Sequence, residues 1–290
     1  MKIGFIGQGW IGKNYADDFV NRGYDVVRYG LEEEYASNKD AISNCEIVFI
    51  AVPTPTTKDG FDDSVVRGVL KYVGKGNIAV IKSTILPGVT ESIQKENPDI
   101  YVFHSPEFLL EKTAAYNAAN PDRNIIGIPI DSDDYKEKAR MVLDVLPDAP
   151  YQEVLASNEA ELVKYAGNCF LYTKVIFMNM LYDLVEATGG DWDKVREALI
   201  GDPRIGVSHT EPVHSSGHSS SSEDIQRGAG GHCFIKDFEA FREMYDGMVG
   251  EKYGSSVLRA LAEKNINLMV NTNKDIELLE GVYGDLSKYK

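Results

Sequence analysis

The sequence predicts an α/β, Rossmann-type domain with a parallel sheet over residues 1–152, followed by an all-α domain with a long central helix over residues 153–290. Three observations carry this. The first half alternates short apolar runs with amphipathic stretches, the pattern of strands joined by helical crossovers. A Gly-x-Gly-x-x-Gly turn follows the first apolar run. Residues 157–187 then place apolar side chains around most of one unbroken helix.

The elements follow in order. Residues 2–7 form a strand, 11–22 a helix and 25–29 a second strand. Residues 46–52 are a third strand, built from Ile47-Val48-Phe49-Ile50-Ala51-Val52. A helix at 64–73 leads to a strand at 77–82, and a helix at 90–95 to a strand at 100–104. Residues 124–128 are the last strand expected, and 133–143 a helix. The boundary falls within 150–158. Ser157 is expected to cap the long helix, with Glu161 in its early turns and Gly189-Gly190 ending it. Leu162, Phe170, Val175, Leu181 and Leu184 give this helix more apolar surface than one neighbour can cover, so further helices or a second subunit must complete it. Residues 193–200, 238–245 and 255–264 supply more helices.

Composition narrows the function. The 290 residues are 43% hydrophobic, enough for a sizeable core. The net charge is −15 and the pI about 4.8, which argues against nucleic acid and anionic membranes as partners. A small anionic molecule needs only a local cluster of donors and stays open. Cys45, Cys169 and Cys233 are too widely spaced for a disulfide framework and indicate a reducing compartment. Met1-Lys2-Ile3-Gly4 runs straight into a strand, and no apolar run reaches membrane-spanning length, so a cytoplasmic protein is expected. Residues 207–227 read as a Ser/His-rich surface loop. Its His209, His214 and His218 match no zinc spacing, and no metal is expected.

The motifs cluster where strands end. Gly7-Gln8-Gly9-Trp10-Ile11-Gly12 joins the first strand to the first helix, where glycines let a pyrophosphate approach the helix N-terminus. An acidic residue is expected to end the second strand. Gly30 stands there instead; Glu32 or Glu33 substitutes from the loop, or Arg28 meets a 2′-phosphate. The first arrangement favours NAD and the second NADP; NAD is the cofactor expected, by a small margin. Val52-Pro53-Thr54-Pro55-Thr56, Lys82-Ser83-Thr84 and Ser105-Pro106-Glu107-Phe108-Leu109-Leu110-Glu111 also lie at carboxyl ends of strands, where such sheets bind ligands. Lys164 and Asn168 share a face of the long helix. Taken singly, Lys164 also reads as a snorkelling lysine and Glu107 as a helix-start carboxylate. Gly230-Gly231-His232-Cys233 leads into an amphipathic helix, which puts a thiol at its N-terminus, where N–H groups favour thiolate; taken alone, these residues read more readily as a buried structural cysteine at a turn. Lys236 adds positive charge, and Asp237 lies one turn from Cys233.

In combination these segments resemble the nucleotide-sugar dehydrogenases, the UDP-glucose/GDP-mannose dehydrogenase family. The likeness extends through Asn120-Pro121-Asp122-Arg123, residues 160–168, Asp202-Pro203-Arg204-Ile205-Gly206 and the Gly-Gly-x-Cys-Phe-x-Lys-Asp run around Cys233. The resemblance implies oxidation of a sugar primary alcohol to a carboxylate with two NAD, through a thiohemiacetal and a thioester on Cys233. It implies that Lys164 and Asn168 stabilise oxyanions, that Asp237 handles protons or water, and that Glu107 and Thr84 hold the hydrolytic water. Gly7, Gln8, Gly9, Trp10, Ile11, Gly12, Arg28, Val52, Pro53, Thr54 and Thr84 would contact the cofactor. Phe108, Leu109, Glu111, Lys164, Arg204, Gly230 and Gly231 would contact a nucleotide-sugar substrate, in a homodimer formed through the helix at 157–188.

The chain departs from the family pattern in several places. The nucleotide-binding third domain expected after the helical one is not in this sequence. The stretch between the second and third strands is short, the Ser/His loop follows Arg204, and His232 and Ile235 replace the usual Ser and Pro. Two other readings stand beside the first: a two-electron 3-hydroxyacid-type dehydrogenase, and a cofactor-binding subunit without turnover.

Overall fold

A computed structural model describes residues 1–214 and 226–289. In chain order its strands are β1 (Lys2–Ile6), β2 (Asp25–Tyr29), β3 (Ile47–Ile50), β4 (Thr56–Thr57), β5 (Gly60–Phe61), β6 (Ile78–Ile81), β7 (Tyr101–His104), β8 (Arg123–Ile128) and β9 (Tyr151–Ala156). Its helices are α1 (Trp10–Asn21), α2 (Glu33–Ala36), α3 (Ser64–Val69), α4 (Val89–Glu96), α5 (Ala114–Ala119), α6 (Asp133–Val145), α7 (Ser157–Ala187), α8 (Trp192–Ile200), α9 (Gly231–Met248), α10 (Lys252–Asn271) and α11 (Ile276–Tyr283). They form two compact units. One comprises Met1–Pro55 with Asp62–Lys164, the other Thr56–Phe61 with Tyr165–Lys290.

The first unit is a seven-stranded sheet in the order β2-β1-β3-β6-β7-β8-β9. The apolar runs explain it: β3 and β6 are buried along their whole length, as parallel strands covered on both faces must be. The chain leaves β1 for β2 on one side and crosses to β3 on the other, which creates a switch point between β1 and β3. Register aligns Ile6 with Ile50, Ile50 with Ile81 and Ile81 with His104, so four strands end on one edge. On one face Phe5 stacks on Phe49 at 5.1 Å and meets Phe19 of α1 edge-on at 5.3 Å. Ala139, Val142 and Val145 of α6 join the same core.

Two features of this sheet differ from the sequence reading. β8 runs antiparallel to β7, and β9 adds a further strand, parallel to β8. The run 151–156 is mostly exposed or half-buried and carries Gln152 and Glu153, so edge pairing rather than apolar content makes it a strand.

The second unit holds most of α7 and the helices from α8 onward, with the short β4–β5 hairpin packed on α9 and α11. Tyr172 of α7 stacks on Phe238 of α9 at 3.9 Å, beside Cys169, Val175, Ile176 and Ala262. Ile235, Ile266, Met269, Leu279 and Leu286 form a second core. Asp191 caps α8, and Glu251 caps α10 through the N–H groups of Tyr253 and Gly254. At the start of α7, Ser157 does not cap. It is already helical, and its buried hydroxyl has no hydrogen-bond partner among the described residues. The Glu159 carboxylate takes the Ala156 N–H at 3.0 Å instead. No helix among the described residues is long and apolar enough to cross a membrane.

Candidate active site

At the sheet edge of the first unit, the glycines are required by close approach. Gly7 has φ +90, and a Cβ there would lie 2.2 Å from the Ala51 carbonyl oxygen. A Cβ on Gly12 would lie 1.9 Å from the Gly7 carbonyl oxygen. A Cβ on Gly9 would meet nothing within 4 Å, so this face of the turn is open to a ligand. Gly9 is the N-cap of α1 and offers no side-chain cap, which leaves that helix end to an incoming anion. Gln8 is buried and folds back on the Gly7 carbonyl at 3.1 Å, and Trp10 is exposed at the helix start.

Glu32 and Arg28, both considered at the end of β2, stand differently. The Glu32 carboxylate lies over Gly30, its Oε2 2.2 Å from where a Gly30 Cβ would be. Arg28 is occupied, pairing with Asp17 at 2.7 Å. An acceptor at the end of β2 and a neutralised arginine suit a ribose diol better than a 2′-phosphate.

Next along the edge, Ser83 Oγ donates to the Val52 carbonyl at 2.7 Å and accepts from the Val52 N–H at 2.9 Å. Thr54 Oγ1 donates to the Thr84 carbonyl at 2.7 Å. These bonds lock the loop carrying Pro53 to the one carrying Thr84. Beyond them, Lys164 Nζ donates to the Glu107 main-chain oxygen at 2.6 Å and lies 3.5 Å from Glu107 Oε2. Both side chains are under a tenth exposed. The other Glu107 oxygen accepts from the Leu109 N–H. Phe108 lies under the Arg123 guanidinium at 3.7 Å, with Lys164 Nζ 5.8 Å from its ring. Glu111 opens a 3-10 turn, and its side chain lies outside the described residues.

Two residues to which sequence reasoning gave no catalytic role, Lys82 and His104, join this cluster. Lys82 is buried, donates to Ser105 Oγ at 3.1 Å and sits 4.5 Å from the Tyr15 ring centre. Burial pulls Lys82 down to about 8; Glu107 opposes this and Lys164 adds to it. Burial, with the Lys82 and Lys164 charges, holds His104 at about 3. The one signal in the sequence was a lysine directly ending the fully apolar run 78–81.

In the second unit, Cys233 is the third residue of α9 and is exposed. Burial pushes Cys45 up to about 11 and raises Cys169 further, so the exposed thiol is chemically distinct from both. Asp237, one turn along α9, is 1% exposed. Its Oδ2 accepts from Asn168 Nδ2 at 2.6 Å and its Oδ1 from Lys236 Nζ at 2.5 Å. Lys236 is thus paired rather than a lone positive charge. Arg204 pairs with Asp202 in its own turn at 2.6 Å and is 88% exposed. Gly230 and Gly231 precede the thiol, with Gly231 at φ +82. His209 and His214 are described; His218 and the serine run beside it lie outside the described residues. Among the described residues no group of three or more His, Cys, Asp or Glu is placed to hold a metal ion.

A largely parallel sheet with a glycine-rich β1–α1 turn and an open helix end defines a dinucleotide-binding α/β protein. Comparison with known proteins makes the class specific. Residues 31–142 match the NAD binding domain of the UDP-glucose/GDP-mannose dehydrogenase family, and residues 158–267 match its central domain. The chain belongs to that family. It is 30% identical over 286 residues to a UDP-glucose 6-dehydrogenase of Rhizobium meliloti, covering 82% of this chain and 62% of that one. A solved UDP-glucose dehydrogenase of Pyrobaculum islandicum is 27% identical, with a TM-score of 0.74 over 92% of this chain and 68% of that one. A Mycobacterium tuberculosis 3-hydroxyisobutyrate dehydrogenase, 18% identical, shares the fold at a TM-score of 0.67, covering 92% of this chain and 96% of that one. The chain spans less than two thirds of the length of the curated relatives it matches.

Proposed function

We propose that this protein oxidises the primary alcohol of a nucleotide sugar to a carboxylate, with NAD as acceptor and a covalent intermediate on Cys233. The observation that carries this is the exposed Cys233 thiol in the first turn of α9, one turn from a buried Asp237. A two-electron alcohol oxidation needs no thiol, whereas a four-electron oxidation uses one to hold the aldehyde.

The residues present fit NAD: Gly7, Gly9 and Gly12 make room for a pyrophosphate, Thr54 and Thr84 fix the neighbouring loops, and Glu32 offers acceptors for a ribose. When bound, the nicotinamide supplies the hydride acceptor for both oxidations. The chain does the rest. Cys233 Sγ adds to the aldehyde carbon, and later leaves it when water releases the acid. The Lys164 ammonium stabilises negative charge developing on the sugar oxygen, and the second Asn168 N–H adds a donor. Glu107, pinned by Lys164 and Leu109, accepts a proton from the hydrolytic water. Asp237 receives and returns a proton at Oδ1 or Oδ2. The balance is one alcohol, two NAD and one water giving one carboxylic acid, two NADH and two protons.

The α7 face carrying Phe170, Phe177, Met180 and Leu184 supports a homodimer, since these side chains are 44–69% exposed and recur on one side of the helix. We assign the work to the cytoplasm, where NAD and the thiol state required of Cys233 coexist.

The test is cofactor reduction against UDP-glucose, GDP-mannose and UDP-N-acetyl sugars. Two NADH per sugar, abolished in Cys233→Ala, supports the reading. One NADH per substrate, unaffected by that substitution, overturns it in favour of the two-electron class.

A further inference from the structure

We propose that Glu161 is a positioning residue for the nicotinamide half of the cofactor: its buried carboxylate, reaching from α7, fixes the loop that carries Thr84. The proposal rests on the reading of the sheet edge as the NAD site and does not involve Cys233. Residues 84–88 lead from β6 to α4. Their near end is tied to the loop after β3, by Ser83 on Val52 and by Thr54 on the Thr84 carbonyl. Their far end is Gly88, the N-cap of α4, which has φ +90 and no side chain to cap the helix. Glu161 supplies that cap from another helix. Its Oε2 accepts from the Gly88 N–H at 2.7 Å, and its Oε1 from the Thr90 N–H at 2.9 Å and the Thr90 hydroxyl at 2.5 Å. Glu161 and Thr90 are both 0% exposed.

A carboxylate brought into this position loses its hydration, and the start of α4 replaces it. Burial pushes the Glu161 carboxyl up, while the bonds from Thr90 and Gly88 hold it down. Only Ile85-Leu86-Pro87 separate Thr84 from Gly88, and Ile85 is 0% exposed, so a loop fixed at both ends has little freedom between them. Glu161 also stands one turn before Lys164, which holds Glu107. One stretch of α7 therefore anchors both the loop after β6 and the loop after β7. Strand order gives the effect its direction. Glu32 follows β2 and the glycine turn follows β1, which places the adenosine and pyrophosphate on that side. The order β2-β1-β3-β6 puts the Thr84 loop on the other side, with the nicotinamide half.

The test is isothermal titration calorimetry of the full chain with NAD and with ADP-ribose, which lacks the nicotinamide ring. Glu161→Gln keeps the size of the side chain but turns an amide N–H₂ against one of the α4 donors. It is expected to weaken NAD about tenfold and to leave ADP-ribose within about twofold. Thr90→Val removes only the hydroxyl bond and is expected to act in the same direction, by about threefold. Thr90→Ser keeps that bond and is expected to bind both ligands as the parent does. Equal weakening of the two ligands is the mark of plain damage to the fold and overturns the proposal, as does an unchanged NAD affinity in Glu161→Gln. Should Glu161→Gln not fold, Thr90→Val decides by the same comparison. A parent chain that binds neither ligand refutes the sheet-edge site, and the proposal with it.

Discussion

Asn168 Nδ2 donates to Asp237 Oδ2 at 2.6 Å, joining α7 to α9 beneath the turn that carries Cys233. With Lys236 on Oδ1, this satisfies a carboxylate that is 1% exposed. Asn168→Ala removes the donor from a buried charge and is expected to cost about 1–3 kcal/mol, measured by urea unfolding. Asp237→Asn is expected to fold and to slow NAD reduction about 10²–10⁴-fold, because it removes a proton acceptor. An Asp237→Asn variant with full turnover would remove Asp237 from the chemistry.

Lys164 and Glu107 form a buried pair, so each depends on the other's charge. Lys164→Met leaves the Glu107 carboxylate without its ammonium and is expected to destabilise by about 3–5 kcal/mol. Adding Glu107→Gln to it removes the stranded charge and is expected to recover part of that loss. Chemical denaturation of both single variants and the double variant measures the coupling. An equal effect of Glu107→Gln in the parent and in Lys164→Met would mean that the pair is not coupled.

Stability is expected to fall on the acid side for a definable reason. Burial holds His104 at about 3 and His214 at about 4, below the ordinary 6.5. The unfolded chain takes up these protons from pH 6.5 downward and the folded chain does not. The contribution is therefore complete above 6.5 and is lost as pH falls towards 4 and then 3. His104→Gln is expected to flatten the slope of unfolding free energy between pH 6.5 and 4. On the alkaline side, burial holds Lys82 and Lys274 at about 8 against an ordinary 10.5. The folded chain gives up these protons first, so stability is expected to rise from pH 8 to 10.5, less so in Lys274→Met.

The exposed side of α7 is expected to be an interface between copies. Phe177 is 53% exposed between Phe170 and Leu184, and Phe177→Glu would place a charge in the middle of that stripe. Sedimentation velocity is expected to show a dimer for the parent and a monomer for this variant. A monomeric parent would refute the interface.

Part of this protein could be read from its residues in order. The run 47–52 and its neighbours are apolar enough to be buried on both faces, which specifies parallel strands before any fold is seen. Gly7, Gly9 and Gly12 are legible because a tight turn and a close-packed helix leave no room for a side chain. Cys233 is legible because two glycines and an amphipathic run place it at a helix start. These are local signals, carried by spacing and side-chain type within a few residues.

Other features arose only from the tertiary fold. The antiparallel placement of β8 and the pairing of β9 depend on which edge the chain finds, and Gln152 and Glu153 carry no apolar pattern to announce it. Lys82 is a buried cation packed against Tyr15 of α1 and bonded to Ser105, 23 residues away. The pairing of Arg28 at β2 with Asp17, eleven residues away along the chain, is visible only in the fold. Asp275 reaches Gly231 across 44 residues. Sequence periodicity reports which face of an element is apolar. Which distant polar groups meet on burial is set by desolvation and hydrogen-bond satisfaction, which act only once the elements have packed.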